Sequence, residues 1–87
     1  MTMQTFDTEQ IFQFGPWKRE RAMVVKSGDV EVYVKNDFDL DDSDESSWTL
    51  DSSTYGVDTH FLRTINLKIK FVPLNGAIYS LDLNEEM

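Results

Sequence analysis

The sequence predicts a small, mainly β protein, an antiparallel meander of four to five strands interrupted by an acidic loop. Three observations indicate this class. Apolar and polar residues alternate with a period of two in several runs, which is typical of strands with one buried and one solvated face. Residues that favour turns, such as Gly, Pro and Asn, separate these runs. Residues 36–58 are rich in Asp and Ser and divide the strands into two halves.

The type of the first element, residues 9–14, is left open by the sequence. This run is compatible with a strand, while Asp7 followed three residues later by Gln10 resembles the capping box of a helix. Gly15 and Pro16 end the element in either case. The prediction is therefore either a first strand or one short N-terminal helix.

Residues 21–26 and 30–35 predict a β-hairpin. The second of these runs alternates with a period of two and is rich in β-branched residues. Ser27, Gly28 and Asp29 separate the two runs and have the composition of a turn.

A longer alternation over residues 61–71 predicts a strand, and the same alternation resumes after it. Phe71 and Tyr79 share a face only if the loop between them has an odd number of residues. The sequence therefore predicts a second hairpin with a three-residue loop, residues 74–76, in which Gly76 has a positive φ. The predicted buried face of the long strand consists of Phe61, Ile65, Leu67, Ile69 and Phe71.

Residues 1–87 are expected to form one domain, with the acidic segment between two β-hairpin halves. A domain of this size buries only about 60–65% of the surface of its unfolded chain, so we expect one modest core. No apolar stretch is long enough to span a membrane and no secretory signal opens the chain, so the expected location is the cytoplasm. Cysteine is absent, which excludes disulfides, thiolate catalysis and thiolate zinc sites.

The net charge of -8 comes entirely from residues 36–58. Residues 1–35 carry five acidic and five basic side chains, and residues 59–87 carry three of each. The segment between them holds eight carboxylates and no basic residue. An acidic segment within a neutral scaffold predicts a localised acidic surface, whereas an acidic average composition would indicate only solubility. The eight carboxylates are Asp37, Asp39, Asp41, Asp42, Asp44, Glu45, Asp51 and Asp58.

The sequence contains no recognisable catalytic constellation. His60 is the only histidine, and there is no Gly-rich phosphate loop, nucleophile elbow or Walker motif. Acid-base catalysis by paired carboxylates needs one of them to be desolvated among apolar neighbours, and residues 41–45 offer no such neighbours. We therefore expect a protein that is not an enzyme and that uses no cofactor.

The acidic segment also fails to match a calcium loop. Three of its aspartates fit positions 1, 3 and 5 of an EF-hand, but Asp42 stands where a Gly is required and Trp48 where a bidentate Glu is required. Weak association with calcium stays open, and we expect no stoichiometric metal site.

Two groups of basic residues raise the question of direct binding to nucleic acid. A pI near 4.3 opposes this, because the net charge repels a phosphate backbone. We expect these residues either to lie near the acidic segment or to protect sheet edges against pairing with other chains. They are Lys18, Arg19 and Arg21, beside Trp17, and the strand residues Lys68 and Lys70.

The remaining interpretation of the acidic segment is a surface that binds a protein. In an extended chain, alternate side chains point the same way about 6.6 Å apart, so Asp37, Asp39 and Asp41 would present a row that resembles nucleic-acid phosphates. Trp48 and Tyr55 are the expected anchors in the partner, unless they fold the segment back onto the sheet. The predicted partner-binding residues are Asp37, Asp39, Asp41, Asp42, Asp44, Glu45, Trp48, Asp51, Tyr55 and Asp58.

In composition, size and charge placement the chain resembles the small acidic inhibitors that phages and mobile elements encode, the DNA-mimic class that includes anti-CRISPR, anti-restriction and uracil-glycosylase-inhibiting proteins. The resemblance is one of overall character and carries over no functional residue. It implies an inhibitor that blocks a basic nucleic-acid-binding protein in the host cytoplasm, without binding nucleic acid or membrane itself. The alternatives are an immunity protein against a basic toxin and a virion or assembly component. The oligomeric state is open, with a homodimer included.

Overall fold

Six antiparallel strands form one sheet in the part of the chain that the computed structural model describes, residues 3–51 and 54–84. The predicted mainly β, antiparallel class is confirmed, with six strands in place of four to five. A 3-10 turn, Glu45–Ser47, is the only helical element in these residues. The strands are β1 (Met3–Phe6), β2 (Gln10–Gln13), β3 (Glu20–Lys35), β4 (Trp48–Leu50), β5 (Asp58–Arg63) and β6 (Lys68–Asp82).

Two long strands, β3 and β6, form the centre of the sheet. They pair with each other from Met23, opposite Leu81, to Val34, opposite Ile69. β1 and β2 pair with the side of β6 that faces away from β3, and β4 and β5 pair with the side of β3 that faces away from β6. The order of the strands is therefore not that of a meander, because the last strand lies beside the third.

Both predicted hairpins are wrong, because the residues with turn-like composition form bulges within β3 and β6. Ser27 lies opposite Ile78, and the register shifts on both sides of Ser27. Gly28 has a φ of 65° and Gly76 a φ of 72°, both in the left-handed region. The positive φ predicted for Gly76 is confirmed, but the strand continues through it instead of reversing. Glycine in this conformation serves a bulge as well as a turn.

The bulges bend both long strands, so the sheet folds back on itself. We call β1, β5 and the parts of β3 and β6 that pair with them the first half-sheet. The second half-sheet consists of β2, β4 and the parts of β3 and β6 that pair with those strands. Phe71 of the second half-sheet stacks on Tyr79 of the first with ring centroids 6.0 Å apart, and the Phe6 and Phe12 centroids are 5.7 Å apart. The two half-sheets therefore pack face to face.

One cluster of buried side chains fills the space between the half-sheets. Tyr79 lies within it, and its hydroxyl donates a hydrogen bond of 2.6 Å to the carbonyl oxygen of Thr8. Burial raises the pKa of Tyr79, so its phenol stays neutral. The buried cluster consists of Phe14, Met23, Val25, Val30, Val32, Leu62, Ile69, Phe71, Ala77, Tyr79 and Leu81.

The strand predicted over residues 61–71 is in fact two strands. A turn separates β5 from β6, closed by a hydrogen bond of 3.0 Å from the Leu67 N–H to the Thr64 carbonyl oxygen. Leu62 is buried and Phe61 is exposed, so the predicted phase of β5 is wrong. The sequence hides this turn, because the apolar residues on its two sides stay an even number of positions apart. These residues are Phe61, Ile65, Leu67, Ile69 and Phe71.

The element left open near the N-terminus is a strand, β2, and not a short helix. Phe12 lies opposite Ile69 of β6 and packs against the core, while Ile11 lies opposite Lys70. Successive side chains of β2 thus point to opposite faces of the sheet, as the period of a strand requires.

We expect Gly28→Ala to destabilise the fold more than Gly76→Ala. Both residues have a positive φ, so each alanine introduces left-handed strain of about 1–2 kcal/mol. A Cβ on Gly28 would also lie 2.6 Å from the Leu74 carbonyl oxygen, whereas a Cβ on Gly76 would meet nothing within 4 Å. Such overpacking adds about 1–3 kcal/mol. Urea unfolding of the two variants measures the difference, and equal losses would contradict a tight backbone contact at the bend.

Candidate protein-binding surface

The acidic loop, residues 36–47, connects β3 to β4 and is folded into turns. The carbonyl oxygens of Asp37 and Asp41 accept hydrogen bonds from the backbone N–H groups three residues later, at 3.4 and 3.0 Å. The Asp37 carboxylate also accepts a bond of 2.9 Å from the Asp39 N–H. The predicted extended row of these three aspartates is therefore wrong. Asp side chains that bond to nearby backbone N–H groups favour turns over an extended chain.

Asp42 attaches the acidic loop to lysines of both long strands. Its carboxylate oxygens lie 2.9 Å from Lys35 Nζ and 2.8 Å from Lys68 Nζ. The Lys35 side chain is almost fully buried, and its ammonium group also donates to the Leu40 carbonyl oxygen at 2.9 Å. Hydrogen bonds from Lys68 and Lys35 lower the pKa of Asp42, so the carboxylate is ionised at neutral pH. The pairing also satisfies a buried ammonium group, which would otherwise destabilise the fold.

Trp48, the first residue of β4, holds the other end of the acidic loop on the second half-sheet. Its side chain is buried, and its indole N–H donates to the Asp42 carbonyl oxygen at 2.8 Å. Two ammonium groups contact the ring, with Lys35 Nζ 5.0 Å and Lys70 Nζ 4.9 Å from its centroid. Such cation–π contacts add to the burial of the ring. The prediction that Trp48 is a free anchor for a partner is therefore wrong.

Tyr55 is also part of the fold. Its backbone pairs with that of Val30 through two hydrogen bonds of 2.9 Å, and its hydroxyl donates to the Asp51 carboxylate at 3.0 Å. Its ring meets that of His60 edge-on, with centroids 4.8 Å apart, and packs against the core. The prediction that Tyr55 is a free anchor is wrong as well, and His60 has a structural role.

The acidic loop displays most of its carboxylates to solvent. Asp37 is half-buried, and within residues 3–51 and 54–84 Asp42 is the only carboxylate of the acidic segment that forms an ion pair. The side-chain and backbone hydrogen bonds from Ser46 lower the pKa of Asp44, so this carboxylate is ionised too. The loop therefore presents several carboxylates that form no ion pair with any base in the described ranges. The exposed carboxylates are those of Asp39, Asp41, Asp44 and Glu45.

The structure does not bring all of the predicted site residues together. Asp51 follows β4, and its carboxylate accepts the hydrogen bond from the Tyr55 hydroxyl. Asp58 is exposed at the start of β5, opposite Val25, and thus belongs to the first half-sheet. The candidate surface is consequently the acidic loop, without the last two carboxylates of the acidic segment.

Several residues contribute to this surface that the sequence did not identify as site residues. Phe38 is 64% exposed within the acidic loop. The expectation that Lys68 and Lys70 lie near the acidic segment is confirmed, and their alternation on the wet face of a strand was the available signal. A cleft of about 420 Å³ beside the loop is lined by Glu9, Tyr33, Glu45, Trp48, Lys70 and Val72.

Basic residues near the N-terminus have structural roles away from the acidic loop. Lys18 Nζ pairs with the buried carboxylate of Asp82 at 2.9 Å. Burial alone raises the pKa of Asp82, but the hydrogen bonds from Lys18 and from the Asn84 N–H lower it below its ordinary value. Arg21 is buried against the Phe14 ring, 4.6 Å from its centroid, and donates to the Asp82 carbonyl oxygen at 3.0 Å.

Comparisons of the chain with protein-family models, with curated proteins and with solved structures gave no match. None of the helical residues in the two described ranges belongs to a helix long and apolar enough to cross a membrane. In the same part of the chain, no three His, Cys, Asp or Glu side chains form a group that could hold a metal ion.

We expect Trp48→Ala to lower the free energy of unfolding by about 3 kcal/mol, the loss typical of a large buried side chain. Trp17→Ala is the matched control, because Trp17 is 59% exposed and should change stability by no more than about 0.5 kcal/mol. Urea unfolding measures both values. Equal stability of the two variants would mean that Trp48 does not hold the acidic loop on the sheet.

The ion pairs of Asp42 predict a pH dependence of stability. Because the folded state lowers the pKa of this carboxylate, its contribution is present above the unfolded value of about 3.9 and is lost as the pH falls through the folded value. We therefore expect Asp42→Asn to melt below the wild type at pH 7, and the difference to vanish in acid. Thermal melts across this range measure it, with Asp39→Asn as the control. A gap of constant size at every pH would contradict the assignment.

Proposed function

We propose that the protein binds a basic partner protein through the acidic loop and blocks the partner's nucleic-acid-binding groove as a DNA mimic. One observation carries the proposal. Asp42 and Trp48 attach the loop to the second half-sheet, while the exposed carboxylates remain unpaired within the described residues. The side chains that attach the loop to the sheet and the carboxylates that the loop displays are thus different residues.

The charge of the acidic loop supports a partner with a basic surface. Clustered charge of one sign steers a partner of the opposite sign and raises the rate of association. Exposed carboxylates are screened over about 8 Å at physiological ionic strength, so this attraction acts at short range and weakens with salt. Nucleic-acid-binding grooves are basic surfaces of this kind.

The attachment of the acidic loop supports tight binding. A flexible acidic tail loses conformational entropy when it binds, whereas a loop that is already ordered loses less. Phe38 replaces Trp48 and Tyr55 as the candidate anchor, because it is 64% exposed and lies among the displayed carboxylates. Burial of an aromatic side chain in a partner's pocket commonly accounts for a large share of the binding energy.

The proposed class is that of the inhibitors that phages and mobile elements direct against host defence, including the anti-CRISPR and anti-restriction types. The site of action is then the host cytoplasm, where the DNA-binding partner works. An immunity protein would use the same surface chemistry against a basic toxin. The two are distinguished by whether nucleic acid competes for the bound partner.

Neutralising two exposed carboxylates of the acidic loop should slow association with the partner. The variant Asp39→Asn/Asp41→Asn keeps Asp42 and its ion pairs, and we expect association about tenfold slower at about 50 mM salt. The control Asp7→Asn/Glu20→Gln removes the same charge from exposed residues outside the loop and should associate at the wild-type rate. Surface plasmon resonance measures both.

The partner for this experiment is the protein that the immobilised wild-type chain retains from a bacterial lysate, and a short DNA duplex is then added as a competitor. Displacement by the duplex together with slow association of the loop variant supports the proposal. A partner that the duplex does not displace would contradict DNA mimicry. Equal association rates for the loop variant and the control at every salt concentration would show that the acidic loop is only solvated.

A further inference from the structure

Asn75 and Gly76 lie exposed in the bulge of β6. Leu74 before them and Ile78 after them lie opposite residues of β3, but no described residue lies opposite Asn75, Gly76 or Ala77 in the register of the sheet. Asn75 has a φ of 57° and Gly76 a φ of 72°. The two residues are therefore part of the strand but stand outside its regular pairing.

An asparagine followed by glycine is the pair in which deamidation meets the least steric resistance. In this reaction the backbone nitrogen of the following residue attacks the side-chain carbonyl carbon of the asparagine. A side chain on the following residue hinders this approach, and glycine has none. A Cβ on Gly76 would meet nothing within 4 Å, so the surrounding structure leaves the position open as well.

Asn66 is a matched comparison within the same chain. It has the same φ of 57° and is likewise exposed. It is followed by Leu67, whose N–H donates to the Thr64 carbonyl oxygen at 3.0 Å. The nitrogen that would attack Asn66 thus carries a large neighbouring side chain and is already hydrogen-bonded. Conformation and exposure are alike at the two asparagines, and the following residue differs.

The Asn75 side chain connects the bulge of β6 to β3. Its amide group donates a hydrogen bond of 2.9 Å to the carboxylate of Asp29. Asp29 is half-buried and directly follows Gly28, where the two backbones approach most closely. An ionised carboxylate only accepts hydrogen bonds, so the contact with Asp29 depends on the side chain at position 75 being an amide.

We propose that Asn75 is a site of spontaneous deamidation whose products weaken the bend between the two half-sheets. The Gly76 nitrogen gives its proton to a base in the solvent and forms a bond to the Asn75 side-chain carbonyl carbon. The bond from this carbon to the amide nitrogen breaks, and the nitrogen takes up a proton and leaves as ammonia. A five-membered succinimide ring remains.

Water then opens the succinimide ring at one of its two carbonyl carbons. The products are aspartate or isoaspartate, each with a new carboxylate. One water is consumed and one ammonia is released, so the reaction needs no oxidant, reductant or cofactor.

Both products alter the bend. The aspartate product replaces the donor to Asp29 by a second carboxylate, and like charges that face each other across neighbouring strands destabilise a sheet. The isoaspartate product also adds a methylene group to the backbone between Leu74 and Ile78, where the register with β3 already shifts. Because β3 and β6 each serve both half-sheets, a change at this bend affects the whole sheet.

Incubation of the folded wild-type chain in mildly alkaline buffer, followed by mass spectrometry of its peptides, tests the reaction. We expect Asn75 to deamidate at least about tenfold faster than Asn66, which corresponds to a barrier lower by about 1.4 kcal/mol. Isoaspartate should be among the products, because direct hydrolysis of the side chain gives aspartate alone. Circular dichroism establishes that the chain stays folded. Equal rates at the two asparagines, or a product without isoaspartate, would overturn the proposal.

The variant Asn75→Asp tests the effect on the bend, because it carries the side chain of the aspartate product. We expect it to melt at least about 2 °C below the wild type at neutral pH. The control Asn66→Asp adds the same charge at an exposed position and should melt with the wild type. The double variant Asp29→Asn/Asn75→Asp should recover the loss, since it restores an amide opposite a carboxylate. Equal melting of the two single variants, or no recovery in the double variant, would contradict a role of the Asp29 contact.

Discussion

The close approach of the Gly28 backbone to the strand opposite it is the constraint on which the rest of the structure depends. A Cβ at this position would lie 2.6 Å from the Leu74 carbonyl oxygen, so only glycine fits without a shift of the backbone. The bulge there bends β3 and β6, whose 16 and 15 residues each serve both half-sheets. Each of the four remaining strands then pairs with only one long strand, at one edge of one half-sheet. A chain of 87 residues thereby closes two layers over one core.

The candidate surface follows from the same arrangement. Pairing of the end of β3 with the start of β6 places the side chains of Lys35, Lys68 and Lys70 on one face of the second half-sheet, where their positive charges lie close together. Asp42 forms ion pairs with Lys35 and Lys68, and the Trp48 ring contacts the ammonium groups of Lys35 and Lys70. These contacts fix the position of the acidic loop.

The sequence predicted the local features and not the long-range ones. Alternation located residues of β3, β5 and β6, because the period of a strand is written in its own residues, but the sequence predicted no strand at β1 or β4 and misplaced the ends of the others. The sequence predicts turns at Gly28 and Gly76, where the structure has bulges, because glycine with a positive φ suits both and only the pairing of distant strands decides between them. The charge partition located the acidic loop. It could not show that Trp48 is buried, because its contacts with Lys35 and Lys70 depend on the pairing of distant strands. Nor could it show that Phe38 is the exposed aromatic residue of the loop.

The proposed surface requires the acidic loop to be ordered before it meets a partner. Backbone order parameters from ¹⁵N relaxation test it directly for residues 37–45 in the free protein. Attachment through Asp42 and Trp48 predicts values on the order of 0.85, like those of the strands. Values below about 0.6 would show a mobile acidic segment, and the surface described above would then not exist in the free protein.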